Sequence, residues 1–309
     1  MDITVVLESI GSLLIMILAG FYAGRRNIIT PDVNKGLIDI LIHIALPFMI
    51  LSSFVISYDI AIKSNVAKTF LYSLAAYGIM TAASYLLTAP IKGSRKTVLH
   101  FANVFVNTGY IGFPILNSVY GTEGVVYGSI FNIFFVVFVW TYGLLLYKGE
   151  PFNVNGNWKG EIGKILLNPS ILAVAAGILL LIFNLALPRT LLTAVKGIGN
   201  MTGPLSMLII GAILSKVSFK NFLKDWMVYY GVIIKLVAIP AVIYILALFA
   251  GDSSRAVNSV IIMTAMPASA MTSIFAEQFN KEKEFAAVLV SMTTLLSFIT
   301  STLLLSIIF

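Results

Sequence analysis

Asn107-Thr108-Gly109-Tyr110-Ile111-Gly112-Phe113-Pro114 is the stretch that decides how the chain is read. It lies inside an apolar segment running from Thr97 to Tyr120, long enough for a bilayer crossing of about 20 residues. Its centre nevertheless carries two glycines, a proline and an Asn-Thr pair. Proline lacks a backbone donor and clashes with the preceding helical turn. Such a break at membrane depth is tolerated only where protein buries it or a cavity runs past it. A second interrupted segment begins near Arg255, where Thr264-Ala265-Met266-Pro267-Ala268-Ser269-Ala270-Met271-Thr272 breaks the apolar run. Two interrupted spans at corresponding places in two halves are the pattern of a carrier with its site between the breaks.

Composition agrees with a membrane setting. The 309 residues are 59% hydrophobic and 11% charged, with a mean hydropathy of +0.98; soluble domains carry about 25% charged residues. The net charge of +7 does not point to nucleic acid, because the basic residues fall between apolar spans. With no cysteine and two histidines, no disulfide and no metal site are expected. No Gly-x-x-x-x-Gly-Lys loop appears, so direct ATP use is not expected. Neither a Gly-x-Ser-x-Gly elbow nor an aspartyl partner for Asp39 is present, so no enzyme and no cofactor are expected. No small-residue cleavage site precedes Arg25-Arg26, and the first apolar segment is expected to remain as a span.

The apolar runs predict an all-α integral membrane protein of ten spans: 3–24, 37–57, 66–89, 97–120, 124–147, 169–187, 197–215, 226–250, 255–278 and 284–308. The connection from Lys148 to Asn168, with Pro151, Gly156 and Gly160, divides the chain near its midpoint. The reading is a first five-helix repeat at 1–148, a cytoplasmic linker at 149–168 and a second repeat at 169–309. Alternate connections hold fourteen and five of the Lys and Arg residues. The richer set marks the cytoplasm, so both termini face out. Five spans per half then make the repeats inverted. Pro47 in the second span and Pro204 in the seventh are a weak trace of that symmetry.

Asn107 to Pro114 resembles the fourth-span signature of the auxin efflux carrier family of membrane transport proteins. Asn168-Pro169 opening the sixth span, Lys235 with Pro240 in the eighth, and the Pro267 break in the ninth fit the same family. The resemblance covers the whole chain. It implies a ten-span inverted-repeat fold similar to that of bile-acid and sodium–proton transporters, with a core domain moving against a scaffold domain, often as a homodimer. Plant members carry an Asn-Pro-Asn-Thr-like motif and usually a longer central loop. Here Thr108-Gly109-Tyr110 and a short loop are more similar to bacterial members, which include carriers of malonate, malate and related carboxylates. A bacterial inner membrane is the implied location.

A half-helix starting after a break points its positive end at the gap and favours an anion, while the carbonyls before it favour a cation. Asn107, Thr108, Gly109, Tyr110, Pro114, Pro267, Ala268, Ser269 and Thr272 are expected to form the binding site for a carboxylate, with Pro114 and Pro267 keeping the helices from closing. The alternative is a pair of ordinary proline kinks repaired by neighbouring hydroxyls. Lys235 lies mid-span, where an ammonium costs about 2.5–3.5 kcal/mol. It binds the anion, stands where a coupling cation sits in related carriers, or forms a fixed ion pair. Asp39 and His43 share a helix face; His43 suits proton coupling or an interhelical hydrogen bond. Asn103 and Asn132 line the path or tie helices together. Gly11, Gly20 and Gly24 are placed for close helix contact. The expectation is therefore a secondary, alternating-access carrier for small organic anions, coupled to protons, to sodium or to neither. A passive uniporter or channel and a membrane sensor are the alternatives.

Overall fold

The structure, a computed structural model, describes residues 3–55, 60–148, 163, 167–183, 185, 187–216 and 225–308. The expected linker at 149–168 falls outside them except at 163, 167 and 168. The helices, in chain order, are α1 (Ile3–Arg25), α2 (Pro31–Ile40), α3 (Leu46–Phe54), α4 (Ile60–Leu87), α5 (Ser94–Val104), α6 (Phe113–Phe138) and α7 (Leu144–Lys148). They continue as α8 (Pro169–Ile182), α9 (Arg189–Gly199), α10 (Thr202–Lys216), α11 (Trp226–Ile233), α12 (Ile239–Ala250), α13 (Arg255–Thr264), α14 (Met271–Gln278) and α15 (Lys283–Ile308). Six helical stretches among the described residues are long and apolar enough to cross a bilayer. The segment read as the ninth span is not one of them, because it is divided into α13 and α14. Within α6, Gly121 has φ +61° and ψ −145°, a turn that only glycine makes without strain.

Three π-helical turns interrupt these spans, and proline explains all three. They are Leu41–Ala45, Thr108–Gly112 and Ile234–Ala238, and each ends two residues before a proline: Pro47, Pro114 and Pro240. A proline ring in a helix strikes the carbonyl four residues earlier. Here those carbonyls belong to His43, Tyr110 and Leu236, the central residue of each turn. The wider π turn moves that carbonyl aside and closes with a bond five residues long, as from Phe113 N to Thr108 O. At these three prolines the helix therefore runs on without a break. A fourth π turn, Val139–Gly143, has no such proline.

The helices pack as two groups. In the outer group α1 lies along α10, and α3 lies against α8 and α9. In the inner group α4, α6, α11, α12 and α15 surround α5 and α13. The inner half-helices are buried on every side: Val98–Thr108 and Ser259–Ser269 are unbroken eleven-residue runs of buried residues. A helix apolar all round belongs in such a place. The groups meet through apolar side chains, with Leu46, Ile50 and Phe54 of α3 in one cluster with Phe113, Val126 and Tyr127 of α6.

Glycine sets the approach of α1 to α10. A Cβ on Gly20 would strike the Leu208 carbonyl, and one on Gly211 would strike the Ile17 carbonyl and the Phe21 amide. Each helix thus offers a glycine to the other's backbone. Gly24 is crowded by Ser215 in the same way, whereas Gly11 has nothing within 4 Å. Since neither backbone has room to yield, Gly211→Ala is expected to destabilise the fold by about 1–3 kcal/mol. Thermal unfolding in detergent checks this, with Gly11→Ala expected to melt at or above wild type.

Candidate functional site

The two interrupted segments cross and pair. Val106 and Ala268 form an antiparallel β-bridge. Asn107 N donates to Pro267 O at 2.8 Å, and Ser269 N donates to Phe105 O at 2.8 Å. Each backbone thereby supplies the partner that the other lost by leaving its helix, as a buried peptide group requires. Ala268 N donates to Thr293 Oγ1 of α15 at 3.3 Å. Beyond the crossing, Asn107 Oδ1 accepts from Tyr110 N at 3.1 Å, and Ser269 Oγ accepts from Met271 N at 3.2 Å. Both returning helices are thus capped by a polar side chain at the break.

Lys235 occupies the opposite ends. It is fully buried, and its Nζ donates to Asn103 O at 3.2 Å and to Thr264 O at 3.5 Å. These carbonyls lie in the last turn of α5 and at the last residue of α13. Helix carbonyl ends attract cations, so one ammonium serves both half-helices. The expectation of a fixed ion pair does not match these partners, which are carbonyls. Asn103, also fully buried, donates from Nδ2 to Ser84 Oγ at 3.1 Å.

A cavity of about 510 Å³ opens beside the crossing. Asn107, Thr108, Gly109, Tyr110, Asn132 and Ser269 line it on the inner side. Ile38, Ile42 and Leu46, spaced four apart on one face of the second span, form the outer wall together with Ile213. Asn132 Oδ1 accepts from the Thr108 hydroxyl at 2.7 Å. The acceptor ends of Asn107 and Asn132 are therefore both engaged internally, and each amide has its NH2 left to offer. With the amide ends of the half-helix at Thr108, this is a donor-rich site in an apolar chamber, and among the described residues its lining has no charged side chain.

The crossing thus gathers most of the residues expected at the site. Four lie apart from the cavity: Pro114 sits at the second position of α6, Pro267 and Ala268 serve the crossing through their backbones, and Thr272 lies behind the lining. Thr272 is fully buried outside the lining, with its Oγ1 unpartnered. Asp39 and His43 are exposed on the second span, outside the lining, where His43 Nδ1 meets the Asp39 carbonyl at 3.0 Å. Asn168 and Ser170 of the sixth span do line the cavity. Asn168 caps α8 by accepting from Ser170 N at 3.0 Å; the Asn-Pro pair announced the cap, and nothing in the pair announced the cavity.

Residues 5–305 match the family described as membrane transport protein. The chain belongs to that family. Among proteins similar to it is an uncharacterized transporter of Methanocaldococcus jannaschii, 23% identical over 300 residues that cover 92% of each chain. An uncharacterized transporter of Methanothermobacter thermautotrophicus is 23% identical over 302 residues, covering 94% of this chain and 95% of the other. This family member is an integral membrane protein of helical build, and its relatives are transporters.

Lys235→Ala leaves two buried carbonyls without a donor, which costs about 1–3 kcal/mol for each group left unsatisfied. The variant is expected to melt well below wild type. Added sodium is expected to raise its melting temperature and to leave that of wild type unchanged, since a small cation fits the same carbonyls. Equal sodium responses would argue against this role.

Proposed function

We propose that the protein is a secondary carrier of small organic anions that binds its substrate at the crossing and works by elevator-like alternating access. The observation that carries this reading is the pair of amides, Asn107 and Asn132, whose oxygens are engaged and whose NH2 groups remain beside an apolar cavity. An anion accepts what they offer, whereas a cation finds no carboxylate among the described residues of the lining. The fold part of the proposal is ten spans in two inverted five-helix repeats. It is supported by the matched eleven-residue buried runs and by Arg95 and Arg255, which stand at corresponding starts of α5 and α13. The homodimer implied by the family resemblance belongs to the same proposal.

The cavity favours one kind of anion. Malate or malonate would bury a second carboxylate against Ile38, Ile42, Phe135 and Val139, and an unpaired buried charge costs several kcal/mol. A monocarboxylate with an apolar body, like the auxin-type acids, places its charge at the amides and its body in the apolar part. The lining comes from the ends of spans that the Lys and Arg distribution assigns to the cytoplasm, including Ile38, Asn168, Ile213 and Ala287. On that orientation, with both termini outside in a bacterial inner membrane, the cavity opens inward. Lys235 supplies a built-in positive charge at the carbonyl ends, so transport needs no sodium there.

Proteoliposome counterflow tests the reading with labelled phenylacetate against labelled malonate and malate. The expected result is saturable phenylacetate counterflow that sodium does not change, with malonate and malate slow. Asn107→Leu is expected to weaken apparent affinity about tenfold to a hundredfold, the worth of one or two hydrogen bonds to a charge. Saturable binding without flux would favour a sensor, and flux that only equilibrates would favour a uniporter or channel. Unaltered transport by a folded Asn107→Leu protein would remove the crossing as the site.

A further inference from the structure

His43 is the histidine to which the sequence points for proton coupling, yet it lies outside the cavity lining. The other histidine is placed differently. His100 is buried on α5, with 3% of its surface exposed, one turn before Asn103 and its bond to Lys235. Its Nε2 lies 2.6 Å from the Tyr142 hydroxyl. Its Nδ1 is buried without a hydrogen-bond partner, on the side of the Ser84 carbonyl. Tyr142 belongs to Val139–Gly143, the π turn that proline does not explain, and Val139 of that turn lines the cavity. π turns without a local structural cause are frequent at functional sites. Asn103 Oδ1, one turn further along α5, is a second buried polar atom without a partner.

We propose that His100 is a proton-binding site that couples proton movement to anion transport. This rests on the carrier reading above. In the neutral ring one nitrogen is a donor and the other an acceptor, and one of them is left unmatched in this setting. The imidazolium has two N–H groups, one for the Tyr142 oxygen and one for the Ser84 carbonyl, where it takes the place of the Thr88 hydroxyl that donates there at 2.7 Å. The proton comes from water on the side where the anion enters, is held at Nδ1 and returns to water on the far side. One proton accompanies one carboxylate, so the step carries no net charge. The bound anion offsets the cost of the buried imidazolium, and the carbonyl end of α5 favours a cation. Proton and anion therefore each strengthen the binding of the other.

Aromatic rings, cations and paired carboxylates surround the ring. From α4 the Tyr85 ring stands edge-on, with centroids 6.4 Å apart. From its own helix Lys96 lies over Tyr85 at 5.4 Å and opposes a second cation. Among elements packed on α5, Tyr147 of α7 meets Phe101 edge-on, Tyr230 of α11 donates to Leu87 O, and Lys235 holds Asn103 O. Asp225 and Glu282 are paired with Arg95. Among the described residues no carboxylate is bonded to His100, and on this proposal the substrate's own carboxylate balances it.

Two measurements test the proposal. The chain has only two histidines, so a ¹⁵N-histidine-labelled His43→Gln protein in nanodiscs gives one imidazole signal, that of His100. It is expected to take up a proton as the pH is lowered, and to do so at higher pH with phenylacetate present. A ring that stays neutral throughout, with or without phenylacetate, overturns the proposal. In proteoliposomes, an acid-outside gradient is expected to speed labelled phenylacetate uptake by wild type about tenfold over protein-free vesicles. His100→Gln is expected to keep counterflow and lose that acceleration. Tyr142→Phe, which removes only the Nε2 partner, is expected to shift the pH profile and keep counterflow, and so covers a misfolded His100→Gln. Counterflow with gradient acceleration intact in both variants overturns the proposal alone. Absence of counterflow from wild type overturns the carrier reading and this proposal with it.

Discussion

Two backbone hydrogen bonds, Asn107 N to Pro267 O and Ser269 N to Phe105 O, join the interrupted segments where neither helix can satisfy its own peptide groups. Inside a bilayer each unsatisfied group costs several kcal/mol. Two breaks placed apart would therefore leave four raw helix ends. Placed in contact, they satisfy one another at the crossing and leave two kinds of residual demand. The carbonyl ends want a cation and receive Lys235. The amide ends want acceptors and receive Asn107 and Ser269. The buried runs on both sides follow, because a crossing of this kind survives only where protein surrounds it.

The charges at the crossing are unequal in permanence. Lys235 is covalently part of the chain, so the carbonyl ends are served whether or not a ligand is present. The amide ends face a cavity in which Asn107 and Asn132 spend their oxygens on Tyr110 and Thr108. That use of the oxygens sets the sign of the site. An asparagine with both ends free would accept either a cation or an anion, whereas one whose oxygen is held inside the fold has only donors to give.

The sequence made the broken spans legible, although the positions of the breaks were not. Pro114 looks like the breaker of its segment, yet a proline acts on the carbonyl four residues earlier, and the π turn around Tyr110 absorbs it. The chain opens instead at Phe105–Asn107, where another backbone lies close enough to pair, and that is a tertiary fact. Pro267 does stand in its break, because its carbonyl is what Asn107 needs. Lys235 was visible as a buried cation, but carbonyl partners leave no mark in side-chain chemistry. Helical spacing placed Asp39 with His43 on one face of the second span. It did not say which face meets the cavity, since an apolar residue facing lipid and one lining a chamber look alike in sequence.

Where the polar links lie suggests how such a molecule can move. The ion pairs Lys68–Asp252, Arg95–Asp225, Arg95–Glu282 and Arg255–Glu123 all tie elements around the crossing to one another. Lys68 and the Ser254 amide hold the Asp252 carboxyl below its usual range, so that link at the head of α13 stays ionised at neutral pH. The face between the two groups is instead built from side chains such as Leu46, Ile50, Phe54, Phe113 and Val126. Apolar contacts are non-directional: one set can replace another as surfaces slide, provided neither is exposed to water. Hydrogen bonds and ion pairs have no such tolerance. On the proposed carrier reading, a bundle held by polar links inside, against a wall met through apolar ones, shifts as a unit and leaves the crossing intact.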